Sequence, residues 1–125
     1  MGYQSQFDGN KFQDNTFTQL TAPGVTTSIG TTGLRNHSFQ VTIAAIDTNV
    51  VVQIEGSNDG TSFGIVQAVT AGTGISLTNS VATITANATY ILTPKNAAIK
   101  NLRFRFVSES GGTAATIDVV YHGSN

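Results

Sequence analysis

The stretch Leu102-Arg103-Phe104-Arg105-Phe106-Val107-Ser108-Glu109-Ser110-Gly111-Gly112-Thr113-Ala114-Ala115-Thr116-Ile117-Asp118-Val119-Val120-Tyr121 alternates apolar and polar side chains on both sides of a Gly-Gly pair. A period of two marks a strand with one buried face. A two-residue turn at Gly111-Gly112 would set Leu102 opposite Tyr121, Phe104 opposite Val119 and Phe106 opposite Ile117 on that face, with Arg105 opposite Asp118 on the other. A slip of one residue would turn every apolar group into water. The stretch therefore predicts an antiparallel hairpin with one greasy side.

The same pattern extends upstream. Phe39, Val41, Ile43 and Ala45 alternate with Gln40, Thr42 and Ala44, and a tight return at Asp47-Thr48 would bring Val50, Val52 and Ile54 back opposite Ala45, Ile43 and Val41. Ser57-Asn58-Asp59-Gly60 is the strongest turn signal in the chain, because Asn, Asp and Gly tolerate the positive φ of a tight hairpin. Phe63 and Ile65 would then resume the inward face, making a three-stranded meander. Thr70 to Ser80, rich in Gly and Thr, reads as a loop with one short strand; Val81 to Ala86 alternates weakly, and Tyr90-Ile91-Leu92 is a short apolar run stopped by Pro94. A single helical turn fits around Ala97, Ala98 and Ile99. With a further strand at Thr26 to Ile29 the count is seven or eight, enough for two packed sheets. The expected fold is an all-β, antiparallel β-sandwich, of which the jelly roll is one form, spanning residues 21–125 behind an extended N-terminal arm of residues 1–20.

That arm is polar and punctuated by Tyr3, Phe7, Phe12 and Phe17, the last three at intervals of five. Five fits neither the strand nor the helix period, so an irregular extended arm is expected. Isolated aromatic rings need a surface, either the edge of the domain's own core or a neighbouring chain.

Composition narrows the function. The 125 residues suit one domain with one core. Charged residues make up 10%, far below the roughly 25% usual in soluble domains. A formal net charge of −1 leaves little repulsion between copies, as suits a surface that a partner covers. With no Cys there are neither disulfides nor thiolates. The opening Met-Gly-Tyr-Gln-Ser-Gln-Phe lacks the blocks of a signal peptide, Gln6 breaks the myristoylation pattern, and no apolar run could span a bilayer, so synthesis in the cytoplasm without a membrane is expected. Asn36-His37-Ser38 and Asn87-Ala88-Thr89 match glycosylation acceptors as any chain rich in Asn and Thr would.

Catalytic equipment is sparse. His37 and His122 are far apart in sequence, and no Ser stands in a Gly-x-Ser-x-Gly pattern. Glu55, Ser57, Asn58 and Asp59 lack the spacing of a calcium loop, so the turn reading prevails and neither metal nor cofactor is expected. Lys100, Arg103 and Arg105 are the basic cluster, with Arg105 assigned to Asp118, too few for a nucleic-acid reader. The chain reads as a binding or structural protein rather than an enzyme.

Val51-Val52-Gln53-Ile54-Glu55-Gly56-Ser57-Asn58-Asp59-Gly60-Thr61-Ser62-Phe63, with the final Leu-Arg-Phe-Arg-Phe, resembles the small β-sandwich accessory proteins of tailed-phage virions, the capsid decoration or cement proteins. It is more distantly similar to the Ser-Asn-Asp-Gly hairpin of discoidin-like carbohydrate-binding domains. The phage resemblance implies a homo-oligomer, a trimer for preference, that sits on the outer capsid surface and braces or decorates the major capsid protein. Tyr3, Phe7, Phe12 and Phe17 are the expected protein-interface residues, each ring worth about 1–3 kcal/mol where enclosed. A carbohydrate-binding module is the alternative, weakened by the absence of Trp and only three Tyr; a head- or tail-fibre component is a third reading.

Overall fold

The computed structural model describes residues 11–71, 74–78, 80–95 and 99–125. Within them the chain forms β1 (Phe12–Thr16), β2 (Gly24–Val25), β3 (Ile29–Gly30), β4 (Asn36–Ala44), β5 (Asn49–Ser57), β6 (Gly64–Ile65), β7 (Ala68–Ala71), β8 (Ile75–Thr78), β9 (Val81–Ile84), β10 (Ala88–Pro94), β11 (Asn101–Ser110) and β12 (Thr116–Ser124), and no helix. One sheet has the order β1-β12-β4-β10-β7; the other runs β2-β11-β5-β9-β8, with β3 against β11 and β6 against β5. The pairings are antiparallel throughout, and the two layers pack face to face as a β-sandwich.

The alternation picks out the core positions of the four long strands, except that Ala45, expected to face inward, lies just past β4, exposed and with φ +59°. Phe39, Val41 and Ile43 on β4, Val50, Val52 and Ile54 on β5, Leu102, Phe104 and Phe106 on β11, and Ile117, Val119 and Tyr121 on β12 are all buried. Phe39 meets Tyr121 beside it in the same sheet, ring centroids 5.2 Å apart, and Phe104 from the other sheet at 6.4 Å. Each such side chain withdrawn from water contributes about 1.5–3 kcal/mol.

Two of the expected hairpins, those at Gly111-Gly112 and Asp47-Thr48, are not formed. β11 pairs with β5, and β12 pairs with β4, so residues 111–115 carry the chain from one layer to the other. The return at Asp47-Thr48 likewise crosses the sandwich, with β4 and β5 in opposite sheets, so there is no meander. Inward parity is the same whether two strands lie side by side or face each other across the core, so alternation alone does not choose between these arrangements. Arg105 consequently lies against Glu55, not Asp118, which accepts instead from the Gln19 amide.

The two crossings touch. Gly111 has φ +86°, the Thr48 N–H donates to the Ser110 carbonyl at 3.1 Å, and the Ala115 N–H donates to the Glu109 carboxylate at 3.0 Å. A Cβ on Gly111 would drive into Thr48, and one on Gly112 would come within 2.7 Å of the Asp47 carboxylate. The Gly-Gly pair serves corner packing rather than a two-residue turn.

Three further expectations differ. β6 does follow the Ser57-Asn58-Asp59-Gly60 turn and pairs with β5, but Ile65 is half exposed and Phe63 lies half-buried outside the core; Val66 and Ala68 resume the inward face. Residues 70–80 hold the expected short strand, β8, and also the last two residues of β7. Phe12–Thr16 is not irregular: it forms an edge strand paired with β12 from Phe12↔Ser124 to Thr16↔Val120. Pro94 does end its strand, and Ala97 and Ala98 of the expected helical turn lie outside the described residues. The last residue of the chain closes onto the first described one, the Asn125 N–H donating to the Lys11 carbonyl at 3.1 Å.

Candidate interaction surface

Of the four aromatic residues expected at an interface, Tyr3 and Phe7 lie outside the described residues. Phe12 and Phe17 are placed on opposite sides of their sheet, because an interval of five is odd and side chains alternate along a strand. Phe17 turns inward and packs on the core, its N–H donating to the Val119 carbonyl at 3.1 Å. Phe12 turns outward and is 67% exposed. Its ring lies 6.4 Å from that of His122, whose Nδ1 is 2.6 Å from an Asp14 carboxylate oxygen. β1 thus presents a large apolar ring beside a small polar pair, on an edge strand whose far side is unpaired among the described residues.

The groups that might have carried chemistry have structural roles. His37 is buried, with Nδ1 2.6 Å from the Tyr121 hydroxyl. Burial pushes the Tyr121 phenol up to about 12. The two histidines therefore sit in separate settings, one beneath the sheet and one on its outer face. Among the described residues no group of three His, Asp or Glu could hold a metal ion. In the Ser57-Asn58-Asp59-Gly60 turn the Asp59 carboxylate accepts the N–H groups of Ser62 and Thr61 at 2.8 and 2.9 Å and the Ser57 hydroxyl at 2.8 Å. These bonds, Ser62 first, hold its carboxyl well below the usual range. Asn58 accepts the Lys100 N–H at 3.0 Å, tying the turn to the start of β11. Ser57, Asn58 and Asp59 are each engaged in shaping the loop.

A second polar cluster occupies the outer face of the other sheet. Register places Arg103 opposite Glu55 and Arg105 opposite Gln53, and Glu55 in turn opposite Ile65. The Arg103 Nε donates to one Glu55 oxygen at 2.7 Å and the Arg105 Nε to the other at 2.6 Å, while the Gln53 amide donates at 2.6 Å. The Arg103 guanidinium also stacks 3.9 Å from the centre of the Phe63 ring. Glu55 is buried under these side chains. Its burial pushes the carboxyl up, but the bonds from Arg105, Arg103 and Gln53 outweigh that and leave it lowered. Sequence reasoning missed this cluster because it paired Arg105 with Asp118. The available signal was Glu55 itself, a carboxylate in the middle of an apolar strand that needs a cation opposite.

Comparison with known proteins bears on the fold. No protein-family model matches the chain, and no curated protein sequence does. A crystal structure of the SPBc2 prophage-derived protein YomS is similar in fold, with a TM-score of 0.63 at 13% sequence identity over 93% of this chain and 95% of that one. At that identity the likeness speaks to architecture, and it extends over nearly the whole of both chains.

Proposed function

We propose that this chain is a phage virion structural protein, a decoration or cement protein that attaches to the major capsid protein at the outer capsid surface as a homo-oligomer, a trimer for preference. The observation that carries the reading is Phe12, an aromatic ring turned to solvent on an edge strand, where burial in a partner would recover the stabilisation its exposure forgoes. The weakly charged exterior supports it, because such a surface is suited to being covered by neighbours. The likeness in fold to a prophage-derived protein supports a phage source. The proposed contact extends in sequence to Tyr3 and Phe7, while Phe17 packs on the core of its own domain. Many copies on one shell would make weak single contacts sufficient.

The test is attachment. Purified capsids lacking the protein are mixed with the full chain or with Phe12→Ser and sedimented. The wild type is expected to co-sediment in saturable amounts, and Phe12→Ser to lose about tenfold in apparent affinity while keeping its β-sheet circular dichroism. Failure of the wild type to co-sediment would overturn the capsid role. Unchanged attachment by Phe12→Ser would overturn the role of this ring.

A further inference from the structure

We infer that the outer face of the β2-β11-β5-β9-β8 sheet is a docking site for an acidic side chain of a partner protein, read by Arg103 and Arg105 together. Two guanidinium groups share a single carboxylate there, so the cluster has one positive charge left over. Asp59, the carboxylate of the turn that follows β5, is engaged by its own turn. Both arginines use Nε to hold Glu55, and among the described residues their Nη atoms make no hydrogen bond. An Arg fork recognises carboxylate through paired N–H donors, so these free Nη groups are the donors a second carboxylate would take.

The site is also held in shape before any partner arrives. Glu55, itself held by the Gln53 amide, fixes both guanidinium groups, and Phe63 supports that of Arg103, which removes much of the rotamer entropy that long side chains lose on binding. Apolar side chains flank the charge on both sides: Val25 opposite Arg105 on one strand and Ile65, 50% exposed, opposite Glu55 on another. A charged centre with an apolar surround is protected from water once covered, which strengthens the central pair. The complementary surface is an Asp or Glu set between aliphatic residues. This inference does not rest on the capsid reading, since the partner is defined by its carboxylate and not by the assembly it belongs to.

The test uses the full chain labelled with 15N, titrated with a capped peptide Ser-Leu-Glu-Val-Ser and with its Gln counterpart. The Glu peptide is expected to shift the Arg103 and Arg105 Nε–Hε resonances saturably and to bind about tenfold more tightly than the Gln peptide. Arg105→Gln should abolish that preference; Ile65→Ser, which leaves all three charges in place, should weaken both peptides alike. Equal or absent binding of the two peptides would overturn the inference. Tighter binding of inorganic phosphate than of the Glu peptide would overturn it in favour of a free-anion site. Concentration-dependent self-association in sedimentation velocity that Arg105→Gln abolishes would overturn it in favour of a second copy as occupant.

Discussion

Glu55 is the residue on which the outer face of its sheet is organised, and its removal is informative because it is bound from three directions. Glu55→Gln leaves two arginines facing each other without a counter-charge. A cost of about 1–2 kcal/mol is expected in urea unfolding, below the full value of a deeply buried pair because Arg105 keeps considerable solvent access. The same group gives an acid dependence. Its folded pKa lies below the ordinary value of 4.5, so its contribution is present above that pH and is lost as pH falls through the folded pKa. The wild type should therefore lose stability below about pH 4.5 more steeply than Glu55→Gln. Tyr121 works in the opposite direction. Its folded pKa, about 12, is raised above the ordinary 10.0, so stability is fully present below pH 10 and falls as pH climbs through the folded value. Tyr121→Phe should cost about 1–2 kcal/mol at neutral pH by removing the bond to buried His37, and should flatten that alkaline loss in denaturant titrations between pH 9 and 12.

At the level of strands, the inward faces were readable and the partners were not. Leu102, Phe104, Phe106, Ile117, Val119 and Tyr121 turn inward as their alternation requires, since that depends on local geometry alone. Whether β11 lies beside β12 or across the core from it depends on the conformation of residues 111–115, where Gly111-Gly112 fits a tight turn as well as a crossing corner. Ile65 shows a different failure. An apolar residue after a hairpin turn is assigned inward by default, yet β6 is two residues long, and the next inward position is Val66. β1 escaped detection because its polar residues Gln13 and Asn15 occupy the inward parity at the sheet edge, leaving Phe12 outward and no apolar alternation to see. The corner reading of the Gly-Gly pair makes its own prediction. Gly111→Ala must accommodate both a positive φ and a Cβ driven into Thr48, so it should destabilise by about 2–3 kcal/mol in thermal or urea unfolding. A free two-residue turn would tolerate it at a cost of about 1 kcal/mol.

For the molecule as a whole, composition spoke to class and topology remained hidden. Few charges, many Thr, Gly, Ser and Asn residues and no Cys fit a β-sandwich held by its apolar layer, and such a layer is what the two sheets enclose. The order of strands follows from which ribbons meet across large sequence separations, and no short window contains that information. The candidate contact surfaces were partly visible for the same reason: Phe12 could be seen as an isolated ring, whereas the joining of Glu55 to Arg103 and Arg105 required β5 and β11 to be neighbours. The seam between Lys11 and Asn125 has an architectural consequence. Among the described residues the first strand is stitched to the last, so that the domain is, in effect, a ring with a cut at this seam, and the cut can be moved. Joining residue 125 to residue 11 through a short Gly-Ser bridge and reopening the backbone at the exposed Thr61-Ser62 bend should give a permuted chain with the wild-type circular dichroism spectrum and cooperative melting. Reopening it instead at Gly111, where the two corners lock, should not.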